Sequence, residues 1–226
     1  MALELRIHSS SSMFFVLLCV LCDQLPQLLY EGNVRSLHRS SIDAIAVTIG
    51  PMERTARLTL EQINGLSQEE FVSALGGVFE ASPWIAAVAW HERPFASVHA
   101  LHQAMREVVD KSTPEQKEML IRAHPDLVGE AARRGTLTRE SAQEQASAGL
   151  DRLSPDEVAR FAELNKEYHE KFGFPFVICV RENKKQGILD GFARRIHNTR
   201  EQEVAAALDE ITKIARLRIE DMIIGV

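Results

Sequence analysis

The chain contains 226 residues, of which 45% are hydrophobic and 26% are charged, as is typical of a globular protein. Its formal net charge of −6 provides no basic surface, which argues against nucleic acid as a partner. The three cysteines, Cys19, Cys22 and Cys179, form no disulfide framework and favour a reducing compartment, so we expect a cytoplasmic protein.

The first 51 residues differ in character from the remainder. Residues 13–22, MFFVLLCVLC, form an apolar run that is too short to span a bilayer, and no clear signal-cleavage site follows it. The spacing of Cys19 and Cys22 is that of a redox or zinc motif, but no second pair completes a metal set. We predict that residues 1–51 are a poorly ordered extension or reflect an upstream start, with a cleaved signal as the alternative. A folded domain is then expected over residues 52–226.

From about residue 58 onward the sequence predicts a compact all-α domain of eight to nine helices. Capping signals mark the helix starts at Ser67, Ser82, Thr113, Ser154 and Thr199. Residues suited to a left-handed C-cap mark the ends at Gly135, Gly173 and Asn198. The predicted helices are 67–80, 83–91, 97–111, 114–123, 127–134, 139–148, 155–172, 184–197 and 200–222. The run FPFVICVR (174–181) has β-strand composition, but a single run has no partner with which to form a sheet.

An arginine interrupts the apolar face of the last predicted helix. The apolar stripe of that helix comprises Val204, Leu208, Ile211, Ala215 and Met222. Arg218 occupies the position that completes the stripe, whereas Arg216 lies on a face suited to solvated ion pairs. Because an isolated buried charge is costly, Arg218 must be paired or must line a polar cavity. It is therefore either part of a structural salt bridge or a clamp for an anionic or amide group of a substrate.

The predicted helix 139–148 carries a polar face. Ser141, Glu144 and Gln145 share one side of this helix, at spacings of three and four residues. They form either a solvated surface, which is the usual outcome for a Glu-Gln pair, or a preorganised hydrogen-bonding wall. Spacing alone does not decide between these interpretations.

His124 directly precedes Pro125, which excludes the histidine from helical geometry and ends the preceding helix there. A histidine on such a corner has a fixed direction, and its ordinary pKa near 6.5 suits proton transfer. A histidine stabilised by a helix C-terminus fits equally well. His99 and His102 raise a metal hypothesis, but no third ligand at suitable spacing supports it.

Several segments together resemble one family, the decarboxylases of 2-oxo-4-hydroxy-4-carboxy-5-ureidoimidazoline (OHCU). They are SPWIAAVAWHERPF (82–95), AHPDL (123–127), SAQEQASAGLDRL (141–153), LNKEYHEKFGFPFVICVR (164–181) and EITKIARLRI (210–219). The resemblance covers about residues 58–222. It implies an all-α homodimer that converts OHCU to (S)-allantoin, the last step of urate breakdown, without metal or organic cofactor. The chain ends in IIGV rather than in a Ser-Lys-Leu peroxisomal address.

The resemblance also implies a set of site residues. The catalytic residues carried over by motif are His124 and Glu144. The substrate-binding residues are Pro125, Ser141, Gln145, Phe176, Val177, Ile178 and Arg218. Two alternatives remain from the residues themselves, namely a non-catalytic helical binding module and a metal-dependent hydrolase built on the histidine-rich helices.

Overall fold

The computed structural model describes residues 57–224, and within this range the chain forms ten α-helices, eight of which have seven residues or more. This confirms the predicted all-α class. The helices are α1 (Leu60–Gly65), α2 (Gln68–Leu75), α3 (Pro83–Ala89), α4 (Val98–Asp110), α5 (Pro114–Arg122), α6 (Glu130–Arg134), α7 (Arg139–Ser147), α8 (Pro155–Phe172), α9 (Lys185–Arg195) and α10 (Arg200–Met222). The predictions for residues 1–51, including the apolar run and the Cys19–Cys22 pair, lie outside the described residues.

Reciprocal caps define the starts of four of the nine predicted helices. At Ser67, Thr113, Ser154 and Thr199 the hydroxyl accepts the backbone N–H three residues later, and the side chain at that position accepts the N–H of the cap. Helices α6 and α8 end in left-handed glycines, Gly135 and Gly173, with φ of 68° and 78°. These local signals therefore placed most helices correctly.

Four details differ from the sequence-based expectation. The helix expected over 67–80 is α2, which already ends at Leu75. The short helix α1 was not predicted, and it follows strand β1 (Leu58–Thr59), which pairs in parallel with β2 (Ile223–Ile224). The helix expected over 127–134 begins only at Glu130, since Val128 has a φ of 57°. Asn198 is not a C-cap, because α9 already ends at Arg195. Instead the Asn198 amide donates a hydrogen bond of 2.7 Å to Glu203.

The longest helix, α10, lies in the core and presents both apolar and charged residues to it. Ala207, Ile211, Ala215 and Ile219 are buried along its length. Arg218 is also buried, at 5% exposure, as the hydrophobic periodicity predicted. No helix between residues 57 and 224 is both long and apolar enough to cross a membrane.

The segment 174–179 is extended but pairs with no strand, so side chains from the helices hold it in place. The Glu210 carboxylate on α10 accepts the backbone N–H of Cys179 at 2.8 Å. The guanidinium of Arg195 donates to the carbonyl of Val177 at 2.7 Å and to the fully buried carboxylate of Glu203 at 2.8 Å. Charged residues of α9 and α10 thus supply the partners that a neighbouring strand would otherwise provide.

Candidate active site

A small cavity of about 40 Å³ lies where the end of α5, helix α7, the extended segment and α10 meet. All nine site residues expected from the sequence line this cavity: His124, Pro125, Ser141, Glu144, Gln145, Phe176, Val177, Ile178 and Arg218. Leu127, Val180 and Ile214 complete its wall. Residues separated by almost a hundred positions in the sequence are therefore brought together around one space.

His124 follows the last turn of α5 and is 9% exposed. Its Nδ1 lies 3.0 Å from the carbonyl oxygen of Leu120, and since a carbonyl only accepts, Nδ1 carries the proton. Burial, together with the positive charge of Arg218, lowers the pKa of His124 to about 4, although the Leu120 carbonyl and Glu80 act in the opposite direction. His124 is therefore a neutral imidazole at pH 7, with Nε2 left as a proton acceptor.

Arg218 is held by two carboxylates and a hydroxyl. Its Nε and Nη2 each donate to an oxygen of Glu144 at 2.8 Å, which is the bidentate geometry preferred by this pair. Nη1 donates to Glu80 at 3.1 Å, and Nη2 also donates to the hydroxyl of Ser141 at 3.2 Å. Burial works to lower the pKa of Arg218, but the carboxylates of Glu144 and Glu80 outweigh it and raise the pKa, so the guanidinium stays charged.

We call Glu80, Ser141, Glu144 and Arg218 the arginine cluster. Glu80 was not expected as a site residue. The sequence placed it at the end of the helix predicted over 67–80, whereas in the structure it lies in the turn between α2 and α3. The chain turns immediately after it, where Ala81 has a φ of 45°. In the folded chain Glu80 is 6% exposed and accepts a hydrogen bond of 3.0 Å from the Ser141 hydroxyl. The polar face predicted for α7 is thus buried at Ser141 and Gln145 rather than solvated.

Gln145 stabilises the turn that follows the histidine. Its Oε1 accepts the backbone N–H of Val128 at 3.1 Å, and this assigns the amide orientation, because a backbone N–H only donates. Val128 has a φ of 57°, a conformation that is strained for a β-branched residue. The Asn165 amide donates to the carbonyl of Leu127 at 2.8 Å. Because Oε1 is already hydrogen-bonded, the NH₂ group of Gln145 is the part of its side chain that can donate hydrogen bonds in the cavity.

The extended segment contributes backbone donors and an aromatic wall. The N–H groups of Val177 and Ile178 have no hydrogen-bond acceptor within residues 57–224. The ring of Phe176 stacks on that of Phe192 at a centroid distance of 3.8 Å. The guanidinium of Arg195 also lies over the Phe176 ring, 4.6 Å from its centroid. The cavity therefore combines an apolar wall with a few fixed polar groups, as small-molecule sites generally do.

A larger cleft of about 450 Å³ lies next to the arginine cluster and shares Glu144 and Arg218 with the small cavity. His124 does not line it, and the ion pair between Arg181 and Asp221 stands at its edge, with a shortest N–O distance of 2.6 Å. Of these two spaces, the smaller cavity is the candidate active site, because a buried imidazole, a paired carboxylate and backbone N–H groups converge there.

The metal hypothesis finds no constellation in the described part of the chain. His102 is buried, and its Nε2 lies 3.0 Å from the backbone carbonyl of Thr212. His169 is hydrogen-bonded to Asp126 at 2.8 Å near the surface. No group of three or more histidine, cysteine, aspartate or glutamate side chains within residues 57–224 is arranged to hold an ion.

The fold is that of a small all-helical domain, in which a buried histidine and an arginine paired with a carboxylate line one cavity. The family model described as OHCU decarboxylase matches residues 64–220. This chain belongs to the OHCU decarboxylase family.

Proteins with a known assignment agree with this membership. The chain is 45% identical over 166 residues to the 2-oxo-4-hydroxy-4-carboxy-5-ureidoimidazoline decarboxylase of Amia calva, covering 74% of this chain and 95% of that one. Its identity to the enzyme of the same name from Halalkalicoccus jeotgali is also 45%, covering 74% and 92% of the two chains.

Two solved structures resemble the fold. The crystal structure of an (S)-allantoin synthase is 30% identical with a TM-score of 0.58, covering 74% of this chain but only 54% of that one. The crystal structure of an OHCU decarboxylase in the presence of (S)-allantoin, with a TM-score of 0.52 over 69% and 97% of the chains, is 21% identical and supports the fold alone.

Proposed function

We propose that this chain decarboxylates OHCU to (S)-allantoin, the last step of urate degradation, and that His124 and Glu144 carry out the proton transfers. The observation that carries the proposal is the convergence of nine residues, expected from the sequence, around one cavity. The curated relatives from Amia calva and Halalkalicoccus jeotgali, both OHCU decarboxylases by name, support the substrate.

The reaction places modest demands on the protein. The substrate carries its carboxylate and a hydroxyl on one ring carbon, beside a carbon that is doubly bonded to nitrogen. When carbon dioxide leaves, the electron pair of the broken C–C bond moves towards this C=N bond, so the substrate contains its own electron sink. The hydroxyl then loses its proton to become the product's carbonyl. The ring nitrogen gains a proton, and the neighbouring carbon gains another on one face, so one proton is taken up overall.

The residues of the cavity fit these demands. His124 can exchange a proton with the substrate at Nε2, while its Nδ1–H stays fixed on the carbonyl of Leu120. Glu144, oriented by the bidentate contact with Arg218, lies on the opposite helix and can exchange protons with the same substrate.

The remaining groups orient the substrate. The NH₂ group of Gln145 and the N–H groups of Val177 and Ile178 can donate to oxygens of the ring and its substituents. Arg218 lines the same cavity, where it holds Glu144 in place and provides a positive charge for the substrate's anionic group. Such positioning is the main contribution that a rigid site makes to a reaction whose substrate already stabilises its own carbanion.

The test uses substrate generated from urate by the two preceding enzymes of the pathway, with product followed by circular dichroism. Because the uncatalysed decay also yields allantoin, the signature is a single-handed product formed faster than the decay. For the variant His124→Asn we expect a loss of about 10²- to 10⁴-fold in rate, the usual contribution of a general acid or base. Glu144→Gln is expected to lose activity in the same range.

His91→Asn is the matched control, because His91 is exposed on a separate 3₁₀ helix and does not line the cavity. Far-ultraviolet circular dichroism verifies that each variant is folded. A His124→Asn protein that still forms only (S)-allantoin at the wild-type rate would refute the assignment of His124.

Three further expectations belong to this proposal. The resemblance implies a homodimer, and light scattering in solution measures it directly. A cytoplasmic location follows from the cysteine content. The boundary near Met52 is supported by the family match, which begins only at residue 64. All three stay predictions.

A further inference from the structure

Glu80 is buried in the site, yet the mechanism described above does not use it. Its carboxylate is 6% exposed and accepts hydrogen bonds from Arg218 at 3.1 Å and from Ser141 at 3.0 Å. A single salt bridge between Arg218 and Glu144 would already neutralise the guanidinium. The second carboxylate therefore adds a negative charge that the pairing of Arg218 does not require.

The charges around His124 can be counted from each element that packs against it. Glu144 from α7 and Arg218 from α10 line the same cavity as His124. Glu80, in the turn before α3, is bonded to Arg218, and its negative charge acts to raise the pKa of His124. Asp126, on the histidine's own loop, is instead bonded to His169 at 2.8 Å. Behind the extended segment, Arg195 contacts Phe176 and Val177 of the cavity wall and is paired with Glu203. With His124 neutral, the arginine cluster has one guanidinium and two carboxylates, which gives it a net charge of −1.

The substrate is itself an anion, because its carboxylate is ionised at neutral pH. Placing it in this cavity adds a second negative charge to a space walled by Phe176, Ile178 and Ile214. The reaction also consumes a proton. Breaking the C–C bond releases neutral carbon dioxide, and the neutral product gains one hydrogen on carbon for the carboxylate that it loses.

On the basis of the proposed function, we propose that Glu80 is a positioning residue. Because of its negative charge, the substrate's carboxylate enters the site together with one proton, and His124 holds this proton at Nε2. Glu80 acts through its negative charge, which remains uncompensated because Glu144 already pairs with Arg218. The proton consumed in each turnover is then already in the site when carbon dioxide leaves. In the complex, His124 is the group that supplies a proton to the substrate.

The pH dependence of KM tests this coupling. In the wild type, KM is expected to rise about tenfold per pH unit between pH 6 and 8, with a smaller change in kcat, because one proton is taken up with each substrate. The inhibition constant of (S)-allantoin, a neutral ligand of similar shape, should not change with pH over the same range.

Glu80→Gln removes the negative charge but keeps an oxygen that can accept from Ser141 and Arg218. We expect KM at pH 8 to fall at least about tenfold, its pH dependence to flatten, and kcat to fall, because the anion no longer brings a proton with it. Glu80→Asp keeps the charge and should restore the pH dependence of KM.

The outcomes separate the alternatives. A Glu80→Gln protein with raised KM, lowered kcat and an unchanged pH dependence would show that Glu80 only supports the fold. A wild-type KM that does not vary with pH would overturn the proposal even if the variant failed to fold. A wild-type protein that does not accelerate the decay of OHCU at all would instead refute the proposed function.

Discussion

Replacing Arg218 with methionine tests how strongly the arginine cluster is bound into the fold. Methionine fills much of the volume of the arginine side chain but donates no hydrogen bond. The substitution leaves Glu80 and Glu144 without their cation, although their side chains are only 8% and 12% exposed. Two nearly buried carboxylates then face each other without compensation.

The expected loss follows from this burial. Removing one partner of a buried, hydrogen-bonded ion pair typically lowers the free energy of unfolding by about 3–5 kcal/mol. For a domain of this size, each kcal/mol corresponds to roughly 2–4 °C in Tm, so we expect a decrease of about 6–20 °C. Adding Glu80→Gln and Glu144→Gln to Arg218→Met should recover part of this loss, because it removes the uncompensated charges.

Arg216→Met is the matched control on the same helix. The Arg216 side chain is 38% exposed and pairs with Glu182 and Glu220 at 2.8 and 2.9 Å. Exposed pairs contribute about 0–1 kcal/mol, so this variant should lose little stability. Urea denaturation followed by circular dichroism measures both variants. Equal losses for Arg216→Met and Arg218→Met would refute the claim that the arginine cluster stabilises the fold more than a surface pair.

Two further predictions concern His124 and the extended segment. The pKa of His124 is depressed to about 4 in the folded state, compared with about 6.5 in the unfolded state. The unfolded state therefore binds a proton first, and the free energy of unfolding falls by about 3 kcal/mol as the pH falls from 6.5 to 4. Urea denaturation at several pH values should show that His124→Asn lacks this part of the acid sensitivity. A His124→Asn protein whose free energy of unfolding falls with pH as steeply as that of the wild type would contradict the prediction. Glu210→Ala leaves the N–H of Cys179 without its acceptor, so KM should rise and the product should lose handedness in the circular dichroism assay. Lys213→Ala is the control, because Lys213 is the other partner of Glu210, at 2.6 Å, and this variant should leave KM and the handedness of the product unchanged. A wild-type KM in Glu210→Ala would refute the role of the contact between Glu210 and Cys179.

Local sequence signals were sufficient for most helix boundaries. A capping box involves residues only three positions apart, so Ser67 and Thr199 form the same contacts wherever the helix packs. The same holds for the left-handed glycine at residue 173, which needs no tertiary partner. Asn198 was interpreted wrongly, because its side chain bonds to Glu203 and the helix before it had already ended.

The site was predicted in two different ways. Hydrophobic periodicity identified Arg218 as a charge in an apolar stripe, and its burial confirms this interpretation. The remaining site residues came from the resemblance of motifs, because spacing alone left His124 and the Glu144–Gln145 pair open to surface interpretations. Neither approach identified Glu80. It was assigned to the end of the helix predicted over 67–80, and its partners Ser141 and Arg218 are distant in the sequence.

The sequence by itself determined the all-helical class, the starts of the main helices and the misfit of one arginine, because each of these depends on residues within one or two helical turns. Only the tertiary structure decided which groups meet. It brought Glu80, Ser141 and Glu144 around Arg218 from positions separated by up to 138 residues, and it made His124 neutral by burying it. Burial and charge compensation are properties of the packed chain, and the charge balance of the cavity therefore appears only once the helices have come together.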